Sequence, residues 1–246
     1  MLDVTSAAVR DCRSALPAPA TPTRPPGSWS ARLWTVLAPV DAALLAHPFL
    51  TGVADGSLPA DVFTGYLVQD AHYLAEYARA LALLGARAEQ LADTAVLARH
   101  AAGTVEVELA LHAELLAAVG VDRAALAAVP PSPTNHAYTR HLLATAALGS
   151  VADGVAAVLP CFWLYARAGT ALVAAGSPDP RYQRWVDTYA GDAFAAVVEE
   201  VLALVDRLGT GLTPAQQAHA EAEALTSARY EWMFFDAALR QERWPV

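Results

Sequence analysis

Alanine- and leucine-rich runs with helical spacing, interrupted by single glycines and prolines and scarcely at all by strand-favouring stretches, confine this chain to an all-α fold. The punctuation has a physical reading. Pro59 after Leu58 and Thr213-Pro214 open long periodic segments, proline taking the position where no amide donor is needed and threonine accepting an orphan N–H. Gly120, Gly149, Gly176 and Gly209 each close an Ala/Leu/Val-rich run, glycine being free to adopt a left-handed cap. Pro130, Pro131 and Pro133 mark an interhelical loop. The pattern predicts about seven to nine helices in one bundle-like domain, without internal repeats.

With 246 residues, 55% of them hydrophobic, the chain has ample material for one core. Residues 1–28 stand apart. Pro17, Pro19, Pro22, Pro25 and Pro26 lie there among small and polar residues, a composition read as a flexible extension preceding a domain over 29–246. The formal net charge of −9 disfavours phosphate backbones and anionic lipid, so neither nucleic acid nor membrane is expected as a partner. Two cysteines, Cys12 and Cys161, make no disulfide framework, and Asp3 and Asp11 spoil a secretory signal, which together predict a cytoplasmic setting. The most apolar run, Val155 to Ala166, falls short of the roughly 20 residues a bilayer span needs and reads as a buried core helix.

Function is sought where a polar or reactive side chain interrupts a core-like helix, because burial there is costly unless the group is paired or used. In Leu159-Pro160-Cys161-Phe162-Trp163-Leu164-Tyr165, Pro160 is expected to kink or restart the helix, placing Cys161 at a positive helix terminus where its thiolate is favoured. The bland alternative is an inert buried thiol. Tyr165 shares the face of Cys161 one turn on. In Gln69-Asp70-Ala71-His72-Tyr73, Asp70 and Tyr73 face one way and offer a carboxylate and a ring to one ligand, or Asp70 merely bonds a neighbouring Tyr or Arg. Glu231, among Tyr230, Trp232, Met233, Phe234 and Phe235, has surroundings that raise a carboxyl pKa, unless it pairs with Arg229 or Arg240. Tyr138 and Tyr189 are either core or site tyrosines.

In order along the chain, His47-Pro48-Phe49, Gln69-Asp70, Ser132-Pro133-Thr134 with Tyr138-Thr139, Leu159-Pro160-Cys161 with Trp163-Leu164-Tyr165, Thr188-Tyr189-Ala190-Gly191 and Tyr230-Glu231 resemble the TenA/thiaminase II family from about residue 30 to the end. The resemblance implies a haem-oxygenase-like all-helical fold, a homotetramer, no cofactor or metal, and a pocket inside each bundle. It implies Cys161 as nucleophile, Glu231 as acid/base and Asp70 on the pyrimidine amino group. Tyr165 and Tyr189 match substrate-contacting tyrosines, Tyr73 and Tyr138 aromatic positions near the cysteine, and Phe234 the pocket wall. The activity implied is hydrolytic release of hydroxymethylpyrimidine from an aminomethylpyrimidine or from thiamin, in thiamin salvage.

Two other classes stay open on sequence. A di-iron oxygenase on the same scaffold is raised by His100 to His112 with Glu106 and Glu108, although Glu108 and His112 lack a matching second ligand set. A non-catalytic pyrimidine-binding regulator is opposed by the presence of both Cys161 and Glu231.

Overall fold

The computed structural model describes residues 15–108 and 128–246. Cys12, Gly120 and the side chains of Glu108 and His112 lie outside the described residues. Nine α-helices and no strand are found among them: α1 (Trp29–Leu45), α2 (Pro48–Asp55), α3 (Ala60–Arg87), α4 (Leu91–Gly103), α5 (Pro133–Leu148), α6 (Val151–Ala175), α7 (Pro180–Ala190), α8 (Asp192–Gly209) and α9 (Pro214–Leu239). One π-helical turn, Thr104–Glu108, follows α4.

Local chemistry sets most of the boundaries. Thr213 and Gln216 form a reciprocal capping box at α9 with Pro214 in the first turn, and Ser150 with Asp153 does the same for α6. Pro59 stands one residue earlier than expected, as the extended N-cap of α3. Of the glycines expected at helix ends, Gly176 alone among those described has positive φ, at 73°. Gly149 leaves α5 in extended geometry. Gly209 is still helical, and its lack of a side chain admits Trp29, whose Cβ lies 2.5 Å from where a Cβ on Gly209 would stand.

Helix α6 is the axis of the fold, packed against α1, α2, α3, α5, α7, α8 and α9. It runs 25 residues, longer than the apolar run that announces it, and by length and composition could cross a bilayer; 83% of its most apolar window is buried inside the bundle. Pro160 lies inside this helix and does not restart it. Leu159 and Pro160 are both buried, and packing from all sides outweighs the roughly 3 kcal/mol that an interior proline costs. Cys161 is therefore a mid-helix residue, and the helix terminus expected to favour its thiolate is at Val151, several turns away.

Residues 15–28 do not behave as composition alone suggests. They run as a strap along the helices: Leu16 is buried and its N–H bonds Leu45 O at 2.9 Å. Arg24 reaches Glu199 at 2.7 Å and Ser30 Oγ at 3.0 Å. The strap also offers the carbonyls of Ala20 and Pro19 to Arg167 at 2.9 and 3.4 Å. Arg167, buried on α6, completes its coordination with Asp41 of α1 at 2.8 Å and lies over the Trp34 ring at 4.4 Å. A few anchoring side chains thus tie down a segment whose average composition is poor in apolar residues.

Candidate active site

On α3, Tyr66, Asp70, Tyr73 and Tyr77 follow one another at spacings of four, three and four, which places them in one stripe. All four are buried. The Tyr66 hydroxyl lies 3.1 Å from that of Tyr165 and donates a long bond, 3.4 Å, to Asp70 Oδ2. Tyr77 donates to Val158 O at 2.9 Å, fixing α3 against α6 in the turn before Cys161. The Tyr73 hydroxyl is buried without a hydrogen-bond partner among the described residues, a state that a bound ligand would relieve.

Four further helices close on this stripe. From α5, Tyr138 donates to Glu231 Oε1 of α9 at 2.6 Å and packs its ring 5.0 Å from that of Tyr73. Phe234, one turn after Glu231, lies 5.8 Å from the Tyr66 ring and 5.7 Å from the Tyr73 ring. From α6, Tyr165 faces Tyr189 of α7 at 5.0 Å. Tyr189 comes this close because Gly169 presents no side chain: a Cβ there would sit 2.7 Å from the Tyr189 carbonyl carbon and oxygen. Cys161, half-buried on α6, is within electrostatic reach of Tyr73, Tyr77, Tyr138 and Tyr165.

All eight residues singled out from sequence (Asp70, Tyr73, Tyr138, Cys161, Tyr165, Tyr189, Glu231 and Phe234) therefore meet around one aromatic cage. Glu231 is 1% exposed, and burial, opposed by the Tyr138 bond and aided by the Asp70 charge, lifts its pKa to about 8. It pairs with neither Arg229 nor Arg240, the latter being engaged by Asp236. Burial likewise holds Tyr66, Tyr73, Tyr77, Tyr138 and Tyr165 protonated well above their ordinary range. The cage thus offers a thiol, a neutral carboxyl that can give a proton near pH 8, a buried second carboxylate residue and several fixed hydroxyls.

Tyr66 and Tyr77 were not among the residues chosen from sequence, although their spacing from Asp70 was legible. The remaining blocks of the resemblance support the cage from outside. His47 caps α2, accepting the Phe49 N–H at Nδ1, and burial lowers its pKa to about 4; Phe49 packs 5.0 Å from Tyr66. Gln69 latches the loop before α5, accepting the Ser132 N–H at 2.8 Å and donating to Pro130 O at 3.1 Å, while Ser132 caps the helix that carries Tyr138. His100 is buried on α4 with Nε2 3.0 Å from Glu200 Oε2 on α8, and Glu106 is exposed. Among the described residues no three His, Cys, Asp or Glu side chains cluster as metal ligands do.

The sequence profile of the TENA/THI-4/PQQC family matches residues 34–241, from α1 to just beyond α9. The chain belongs to the TENA/THI-4/PQQC family. Within it, an aminopyrimidine aminohydrolase of Bacillus subtilis (strain 168) is 38% identical over 198 residues, which is 80% of this chain and 84% of the relative. A TenA homologue protein from P. horikoshii OT3 superposes with a TM-score of 0.80 at 26% identity, covering 87% of this chain and 99% of the other. A domain of unknown function with a heme oxygenase-like fold from Shewanella denitrificans OS217 superposes with a TM-score of 0.69, covering 86% of this chain and 92% of that domain. At 18% identity that last likeness concerns the fold alone, and it agrees with the all-α, haem-oxygenase-like architecture expected from sequence.

Proposed function

We propose that this protein is a thiaminase II-type aminopyrimidine aminohydrolase, releasing hydroxymethylpyrimidine from an aminomethylpyrimidine or from thiamin. The observation that carries the reading is the meeting of Cys161 with a buried, protonated Glu231 in one tyrosine-lined cage, in a chain whose relative of 38% identity is an aminopyrimidine aminohydrolase. Asp70 accepts a bond from the exocyclic amine, and the cage rings hold the pyrimidine face. Glu231 protonates a ring nitrogen, which makes the ring electrophilic, and the Cys161 thiolate adds to a ring carbon. The electron pair returned from the ring expels the thiazole as a neutral molecule, or the amine, protonated beforehand, as ammonia. Water then bonds to the methylene and gives up a proton. Departure of the thiolate restores aromaticity as the ring nitrogen returns its proton to Glu231. Tyr73, whose hydroxyl has no partner among the described residues, bonds the ligand or the thiolate. The enzyme works in the cytoplasm as a homotetramer; exposed Leu91 and Leu148 are side chains that such an assembly would cover, and light scattering tests its mass.

The test is product formation from 4-amino-5-aminomethyl-2-methylpyrimidine and from thiamin by wild type and by Cys161→Ala. Hydroxymethylpyrimidine from wild type, lost in the variant while pyrimidine binding persists, is the expected result. Folded wild type that binds the pyrimidine and turns over neither compound sinks the enzyme reading and leaves a pyrimidine-binding protein.

A further inference from the structure

The seam between α5 and α9 carries, among the described residues, three side-chain hydrogen bonds that climb it turn by turn. Tyr138 donates to Glu231 Oε1 at 2.6 Å, His141 Nε2 lies 3.0 Å from Ser227 Oγ, and Thr145 donates to Glu223 Oε2 at 3.3 Å. Residue numbers rise along α5 as they fall along α9, so the helices are antiparallel. Steps of three and four on one meet steps of four on the other, the spacing that keeps side chains on one helix face. The Tyr230 ring, 5.2 Å from Tyr138 and 5.7 Å from His141, covers the step between the first two rungs.

Only the first rung belongs to the cage. In the second, Ser227 is wholly buried and the His141 side chain is 14% exposed. An apolar pair of the same shape could fill this space without loss, whereas either group left alone is costly to bury. What the pair adds is register: α9 cannot shift along α5 without stranding both. The ring nitrogens have separate partners. Nδ1 lies 3.7 Å from Glu223 Oε2, which favours the neutral tautomer protonated there and leaves Nε2 to accept the Ser227 hydroxyl. Burial lowers the ring's pKa against the pull of the Glu223 charge. Ser227, His141 and Glu223 are the residue types of a hydrolytic triad, but Ser227 has no exposed surface at which a substrate could meet it.

We propose that His141 and Ser227 are positioning residues for the proton donor: their bond holds α9 in register on α5, so that Glu231 keeps its bond to Tyr138. Neither acts on the pyrimidine; both act through Glu231. The catalytic consequence rests on the aminopyrimidine reading above, while the register is a property of the fold. Glu231 is faced by Tyr138 from α5, by Asp70, Tyr66, Tyr73 and Tyr77 from α3 and by Tyr165 from α6. With the tyrosines held protonated, two of these groups govern its titration. The Tyr138 bond favours the carboxylate, and the Asp70 charge opposes it. Slackening the register weakens the first and leaves the second.

The experiment follows the Glu231 carboxyl by NMR of protein carrying carbon-13 at its glutamate carboxyls, the signal assigned by its absence from Glu231→Gln. Beside it, kcat and KM for 4-amino-5-aminomethyl-2-methylpyrimidine are measured from pH 5 to 10. In Ser227→Ala and in His141→Leu, the Glu231 titration and the alkaline limb of kcat/KM should both move up by about 0.5–1 in pH. At the optimum kcat should fall about fivefold to tenfold while KM changes less than about twofold. His141→Gln, whose amide reaches the place of Nε2, should restore both, and Thr145→Val, at the half-buried last rung, should move neither. The two rung variants break the same bond from opposite sides, so either one reads the result if the other fails to fold. A lower thermal midpoint with the Glu231 titration unmoved, or no rescue by His141→Gln, overturns the positioning role and leaves the aminopyrimidine reading intact. A titration that moves with the rung in a protein that turns over neither the aminomethylpyrimidine nor thiamin upholds the register and overturns that reading.

Discussion

Glu231→Gln should stabilise the protein at alkaline pH while removing most of its activity. In the folded chain the Glu231 pKa is about 8 against an ordinary 4.5, because burial disfavours the charge. Between those values the folded state holds a proton that the unfolded state has released, so stability is greatest below pH 4.5 and falls as pH rises towards 8. Each unit corresponds to about 1.4 kcal/mol, giving roughly 3–5 kcal/mol across the window. Glutamine keeps the shape and can still accept the Tyr138 hydroxyl, but has no charge to desolvate. Urea unfolding of both proteins from pH 5 to 9, followed by circular dichroism, should show nearly equal stability at pH 5 and a variant advantage of a few kcal/mol by pH 9. Wild-type kcat/KM should fall as pH rises through about 8, a limb absent from the residual activity of the variant. A stability difference independent of pH would refute the claim that Glu231 is buried as the neutral acid.

Other perturbations probe the framework. Gly169→Ala forces a methyl against the backbone of Tyr189 and should cost about 1–3 kcal/mol together with a higher KM; an unchanged thermal midpoint and KM would show that this approach is not needed. Asp41→Asn leaves the Arg167 guanidinium buried without its anion and should cost about 3–5 kcal/mol in urea unfolding, most of it recovered when Asp41→Leu is combined with Arg167→Met. A double variant no more stable than the single one would contradict this. Tyr66→Phe removes the hydroxyl between Tyr165 and Asp70 and should raise KM up to about tenfold with a smaller fall in kcat; steady-state kinetics with an unchanged KM would remove Tyr66 from the positioning role.

What could be seen in the sequence followed physical scale. Helical class was legible because apolar periodicity is repeated through nine segments, and α6 announced itself as the most apolar of them. The cage residues were legible because reactive side chains stand out in such helices and because their blocks fall in a recognisable order. Tyr66 and Tyr77 carried no comparable mark, since a tyrosine in an apolar helix is as readily core as site, and only the spacing from Asp70 separates the two. Pro160 was misread because a local rule, that proline ends a helix, yields to packing from neighbours on every side of α6. The course of residues 15–28 was hidden for a related reason: Leu16 and Arg24 find partners at Leu45, Glu199 and Asp206, far away in the chain, and composition averaged over a window does not contain such meetings.

The strap has a consequence for the denatured ensemble. Pro17, Pro19, Pro22, Pro25 and Pro26 narrow the backbone angles open to this segment before it docks, and at compatible positions each proline withholds about 0.4–1 kcal/mol of chain entropy from the unfolded state. The same residues that make the segment look unstructured thus lower what docking it loses. A few anchors, Leu16, Arg24 and the carbonyls facing Arg167, then suffice where a glycine- and serine-rich segment of equal length would need many more. Stiffness in the free chain substitutes here for contacts in the folded one.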